Sequence, residues 1–222
     1  MKKKITALCL CVALLAIAVV GASLAFFTDT KSEKNTFTVG NVQIKLDETD
    51  ITKTDGSRTE KGNDYGSMYP GRSVTKDPTV HNVGANSAYI RAKVTLTGGF
   101  NLLAQLFPNM EFENGTPFVD MYAQYFTALV GDLGEDWSIV DIDGDAAGNP
   151  IFVFKYAKVL DKGKDTPAIF EELTIPSDYT GKDANGGIYQ AANVDMTIVA
   201  EAMQAEGFDT WEKAFEAYDK QA

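Results

Sequence analysis

An antiparallel β-sandwich decorated by helices is the fold class predicted by the sequence, and three observations predict it. Apolar and polar residues alternate with period two along much of the chain, most cleanly over 88–97. Clusters of Gly, Pro, Asn and Asp punctuate the alternating segments. Helical periodicity is confined to an insertion over 98–131 and a tail over 208–221. With 222 residues, 45% of them hydrophobic, the chain can bury a sizeable core, which excludes disorder throughout. No internal repeat is evident, and residues 26–222 are expected to form a single domain.

The chain opens as a secretory signal over 1–25. Lys2, Lys3 and Lys4 precede apolar and small residues from Ile5 to Leu24, and Ser23 and Ala25 have the spacing that a signal peptidase reads. Cleavage is expected between Ala25 and Phe26. The alternative is a retained anchor, since the stretch could just span a bilayer of roughly 30 Å. Membrane contact is otherwise not expected. Both cysteines, Cys9 and Cys11, lie inside the apolar stretch, and Leu8 and Leu10 precede them where lipoprotein processing needs a small residue.

Removing 25 residues, three of them lysines, leaves 197 residues with 17 basic and 31 acidic side chains, a net charge of −14 and no cysteine. Disulfides, thiol catalysis and thiolate metal sites are thereby excluded from the mature chain. Nucleic acid is excluded as a partner, because binding it requires clustered Lys and Arg to release condensed counterions. Self-assembly, by contrast, should strengthen as salt screens the self-repulsion.

The elements follow in order. Phe37 and Val39 alternate up to Gly40, where a bulge would explain the shifted register of Val42, Ile44 and Leu46. A polar, mobile loop is expected from Asp47 to Gly66, with a turn at Tyr69-Pro70-Gly71. Ala88, Ile90, Ala92, Val94 and Leu96 face one way and Tyr89, Arg91, Lys93, Thr95 and Thr97 the other, as in a half-buried strand. Leu102, Leu103, Leu106 and Phe107 predict a short helix stopped by Pro108. A second helix is predicted from Phe118, with Thr116 as N-cap and Pro117 at its first position.

Trp137–Ile142 and Ile151–Leu160 read as a hairpin, the second strand apolar on both faces and so expected to be central and covered on both sides. Val194, Met196, Ile198, Ala200 and Ala202 form the last alternating strand. In the terminal helix Trp211, Phe215 and Tyr218 share a face, and Asp209 with Glu212 has capping-box spacing.

Candidate chemistry is sparse, and neither a catalytic residue nor a cofactor is expected. The sole histidine, His81, sits in an alternating segment and reads as a plain strand residue. No His-Glu-x-x-His pair exists to hold zinc and no Gly-x-Ser-x-Gly elbow exists for a serine nucleophile. Asp141, Asp143 and Asp145 are the candidates for a hard cation, since alternate carboxylates can converge. The calcium-loop match then fails at Ala146 and Phe152, where glycine and a bidentate Glu are needed, so a solvated acidic hairpin tip is expected. Asn114-Gly115-Thr116 fits a glycosylation sequon and reads as a turn before the helix.

The run Ala25-Phe26-Phe27-Thr28-Asp29-Thr30-Lys31-Ser32, followed by Asn35-Thr36-Phe37-Thr38-Val39-Gly40, resembles the signal junction and first mature strand of the TasA/camelysin family. Tyr69-Pro70-Gly71, Val80-His81-Asn82-Val83-Gly84, Ala88 to Val94 and Val199 to Gly207 extend the likeness. The resemblance implies a jelly-roll sandwich, export with the help of a SipW-type signal peptidase, and a role in extracellular biofilm-matrix or cell-surface fibres, with an accessory matrix protein as a further partner. It also carries a metalloendopeptidase label, which is the rival expectation; a monomeric cell-surface binding module is the third. For a fibre, the segment 26–37 is the expected connector. Phe26, Phe27, Thr28, Asp29, Thr30 and Phe37 would form a strand donated head-to-tail to the next copy.

Overall fold

The computed structural model describes residues 28–32, 35–38, 42–66, 68–179 and 195–221. Residues 1–25, Phe26, Phe27, Gly40 and Val194 lie outside the described residues, and with them the expected signal, its expected cleavage point and the expected bulge.

The chain is mainly β and antiparallel. Six strands form the principal sheet in the order β2 (Asn35–Thr38), β1 (Thr28–Ser32), β11 (Met196–Gln204), β7 (Ala88–Leu96), β9 (Pro150–Tyr156) and β8 (Trp137–Gly144). Ala92 is the pivot of its centre, lying opposite Ala200 on one side and Phe154 on the other. Its small side chain, matched by Ala200 and Ala202, leaves room for the bulkier rings of β9 on the same face.

A second layer covers that inner face. At one end it consists of β4 (Arg58–Thr59), β3 (Ile44–Thr49) and β6 (Thr79–Asn82), and beside them β5 (Ser73–Thr75) pairs with β10 (Glu172–Thr174). At the other end α2 (Phe118–Val130) lies across the sheet, preceded by α1 (Asn101–Leu106). Phe126 of α2 is the keystone of this core, its ring 4.4 Å from Phe152, 5.5 Å from Phe154 and 5.8 Å from Phe170. Gly134 allows the chain after α2 to approach closely, since a Cβ there would lie 1.8 Å from the Ala168 carbonyl oxygen.

The outer face of the sheet is covered where α3 (Trp211–Asp219) packs on it. Tyr89 and Met203 form a second small core there with Ala214 and Phe215. Thus β7 is not half-exposed along its length: its first five residues, Ala88 to Ala92, are all buried. Alternation in the sequence marks two faces, and it cannot distinguish a face open to water from one covered by a distant helix.

Several local expectations need correction. Pro117, not Thr116, occupies the N-cap of α2; no side chain caps the helix, and Thr116 donates instead to the Glu113 carbonyl. In α3 the cap is Thr210, whose hydroxyl accepts from Lys213 N, while Asp209 pairs with the Lys213 ammonium. The strand β9 ends at Tyr156, with Ala157 and Val159 exposed beyond it. Its second face, Ile151 and Val153, is half-buried and not covered. The expected loop from Asp47 is shorter than read, because β3 continues to Thr49 and β4 pairs with its end.

Candidate functional site

Two places concentrate the residues singled out by the sequence: the sheet edge formed by the N-terminal strand, and a polar corner built on β3 and β6. At the edge, β1 runs antiparallel to β11 with Thr28 opposite Met203, Asp29 opposite Ala202, Thr30 opposite Glu201 and Lys31 opposite Ala200. β2 pairs antiparallel with β1, with Thr30 opposite Phe37. The connector segment therefore occupies an edge of its own chain's sheet, β1 lying between β11 and the outermost strand β2, which holds Phe37.

The polar corner arises from an extension of the apolar alternation. On β3 the inward positions are Ile44, Leu46 and Glu48, and on β6 and the residues leading into it they are Lys76, Pro78, Val80 and Asn82. Glu48 and Lys76 thus lie inside, 5% and 6% exposed, and the Lys76 ammonium donates to Glu48 Oε2 at 2.7 Å. Outward from this pair Arg58 clamps two carboxylates: its Nε donates to Asp47 and its Nη1 to Asp77 at 2.8 Å. Asp77 also accepts from the backbone and hydroxyl of Thr49 at 2.7 and 2.8 Å. Burial opposes its ionisation, yet these bonds and Arg58 hold the Asp77 carboxyl below its ordinary range.

His81 sits in the same corner between two carboxylates. Its Nε2 lies 2.9 Å from Asp47 and its Nδ1 2.7 Å from Asp165, which reaches β6 from the irregular segment after β9. Burial would lower its pKa, but hydrogen bonds to Asp47 and Asp165 outweigh this and raise it above 6.5. The side chain read as a plain strand histidine is therefore an ion-paired bridge between β3, β6 and the segment 160–170.

This geometry does not suit zinc. The two carboxylates approach opposite nitrogens of one ring, so they cannot converge with that ring on a single ion, whereas a catalytic zinc takes about three protein ligands. Among the described residues, no group of three or more His, Cys, Asp or Glu is placed to hold a metal. The Asp141, Asp143 and Asp145 carboxylates do not converge in hydrogen bonding either. Asp141 and Asp143 each accept from the next backbone N–H, while Asp145 closes the β8–β9 turn by accepting from Ala147, Asn149 and the Asn149 amide.

A third cluster was not foreseen from the sequence. Arg91 of β7, 5% exposed, donates to buried Glu201 of β11 and reaches Asp219 of α3 at 2.6 and 2.8 Å. Its guanidinium also lies over the Phe215 ring, 4.4 Å from the centroid. The signal was present: Arg91 and Glu201 occur in two strands whose alternation is long enough to pair, but the pairing register itself is not written in either segment.

Among the described residues, no helix is long and apolar enough to cross a membrane. Residues 1–102 match the family model described as camelysin metallo-endopeptidase. That match supports the TasA/camelysin assignment made from the junction and strand motifs. No curated protein and no solved structure matches the chain.

Proposed function

We propose, with the camelysin-family match over residues 1–102 as premise, that this chain is a secreted structural subunit of extracellular matrix or cell-surface fibres. Copies join by exchange of the N-terminal strand. The supporting observation is the pairing of β1 with β11 through main-chain hydrogen bonding along a register of four residues. An identical strand from a neighbouring copy offers the same donors and acceptors, so self-pairing and exchange use one register. Each copy that gives its strand to the next receives one from the previous, and a head-to-tail contact of this kind propagates a filament.

Removal of the signal after Ala25 frees Phe26 and Phe27 to fill a pocket on the receiving copy, which confines assembly to the outside of the cell. A SipW-type signal peptidase and an accessory matrix protein are the partners this reading includes, and a jelly-roll wiring is its finer fold. Electron microscopy of the mature chain lacking Phe26 to Lys34 tests it. The expected result is a folded monomer without filaments; filaments equal to those of the full mature chain overturn it.

The description of the matched family as a camelysin metallo-endopeptidase supports a second reading, a metallo-endopeptidase. Chelator-sensitive casein cleavage that disappears in His81→Gln while folding is retained would establish it. The bonding of both His81 nitrogens to carboxylates leads us to expect no such activity. A soluble monomer that sediments only with cell wall would support a surface-binding module instead.

A further inference from the structure

The inner half of the polar corner contains an arrangement that a simple ion pair does not require. Each oxygen of buried Glu48 holds a different nitrogen: Lys76 Nζ donates to Oε2 at 2.7 Å, and Asn63 Nδ2 donates to Oε1 at 2.9 Å. The Asn63 amide is oriented by its other bonds. Nδ2 also donates to the Thr49 carbonyl at 2.7 Å, and Oδ1 accepts from the Ile51 N–H at 3.1 Å. Tyr65 closes the site, its ring centroid 5.5 Å from Lys76 Nζ and its hydroxyl 3.5 Å from Glu48 Oε2. An amine and a carboxamide are thus gathered on the two oxygens of one carboxylate, with Lys76 and Glu48 buried and Asn63 half-buried.

We propose that Lys76, Glu48 and Asn63 form a self-modifying cross-link site, in which Lys76 and Asn63 become joined by a side-chain amide bond. Lys76 passes a proton to Glu48, and the freed lone pair on Nζ attacks Asn63 Cγ. Negative charge develops on Oδ1, which already faces the Ile51 N–H, so the donor for the tetrahedral intermediate is in place. Glu48 returns the proton to Nδ2, the Cγ–Nδ2 bond breaks and the Nζ–Cγ bond remains. One lysine hydrogen stays on the new amide nitrogen and the other two leave with Nδ2 as ammonium, so charge and atoms balance and Glu48 is regenerated. No oxidant or metal takes part. Holding amine and amide together replaces an otherwise bimolecular encounter, which is the main barrier to such an aminolysis.

The bond would tie the segment between β4 and β5 covalently to the chain just before β6. A mature chain without cysteine would in this way gain a redox-independent staple, closing a loop of the unfolded chain as a disulfide does. The site is independent of strand exchange, so its failure leaves the fibre proposal untouched.

Intact-mass measurement and peptide mapping of the secreted mature chain test it. The expected mass is lower than calculated by one ammonia. The expected map contains a branched peptide carrying both Asn63 and Lys76, with no tryptic cut after Lys76. Lys76→Arg, Asn63→Ala and Glu48→Gln should each restore the full mass. Linear wild-type peptides at both positions overturn the proposal, whether or not any variant folds. So does an ammonia deficit that persists in Lys76→Arg, because it then arises elsewhere.

Discussion

The centre of the principal sheet is buried throughout and the polar corner on β3 and β6 is buried at Glu48 and Lys76, and the two are held by different forces. In the sheet centre Ile90, Ala92, Val94, Phe152, Phe154, Ala200 and Ala202 exclude water through shape and area. In the corner Glu48, Lys76, Asp47, Asp77, Arg58 and His81 satisfy one another, and their gain over hydration is small while the cost of breaking one partnership is large. The contrast teaches that the first region tolerates imprecise partners of suitable size, whereas the second depends on the identity and ionisation of each member.

The largest effect should come from the apolar region. Phe126→Ala removes the ring that touches Phe152, Phe154 and Phe170 and should cost about 4 kcal/mol in denaturant unfolding. A loss below about 1 kcal/mol would mean that α2 is not integral to the core. Next is Arg91→Ala, which leaves buried Glu201 with Lys93 as its remaining cationic partner and releases Asp219 of α3. About 2 kcal/mol is expected, with hydrogen exchange rising first in α3.

His81→Gln sharpens the comparison through pH. Because its folded-state pKa lies above 6.5, the stabilisation from the charged ring is complete below that value and fades as pH rises through the raised one. The variant should therefore be less stable than the parent by about 1 kcal/mol near pH 5, and the gap should close towards alkaline pH. A gap that widens on raising the pH would contradict the ion-paired bridge. The smallest effect separates two caps: Thr210→Ala should cost about 1 kcal/mol, whereas Asp209→Ala should leave the melting temperature unchanged.

The same division decides what could be read in the sequence. Strands β7 and β11, the β8–β9 hairpin and the three helices among the described residues followed from apolar spacing, because a period reports directly which residues share a face. The corner was illegible for two reasons. Inward alternation on β3 passes from Leu46 to a charged residue, Glu48, which reads as the end of a strand. Its partner Lys76 is 28 positions away, and nothing local marks it. Likewise His81 revealed its strand but not its neighbours, since Asp165 arrives from 84 residues downstream. The covering of Tyr89 and Arg91 by α3 failed to show for the same reason. Local pattern specifies elements, while polar networks depend on which elements meet.

Exchange of β1 between copies is tested most directly by a covalent trap. Both cysteines, Cys9 and Cys11, lie within residues 1–25, so in a chain beginning at Phe26 a single pair can be placed at opposed positions of β1 and β11, Thr28→Cys with Met203→Cys. Filaments grown from this variant under reducing conditions and then oxidised are resolved on a denaturing, non-reducing gel. Strand exchange predicts a ladder of disulfide-linked multimers that collapses to monomer on reduction. Filaments that yield only internally bridged monomer would show that each copy keeps its own N-terminal strand, and would contradict the account.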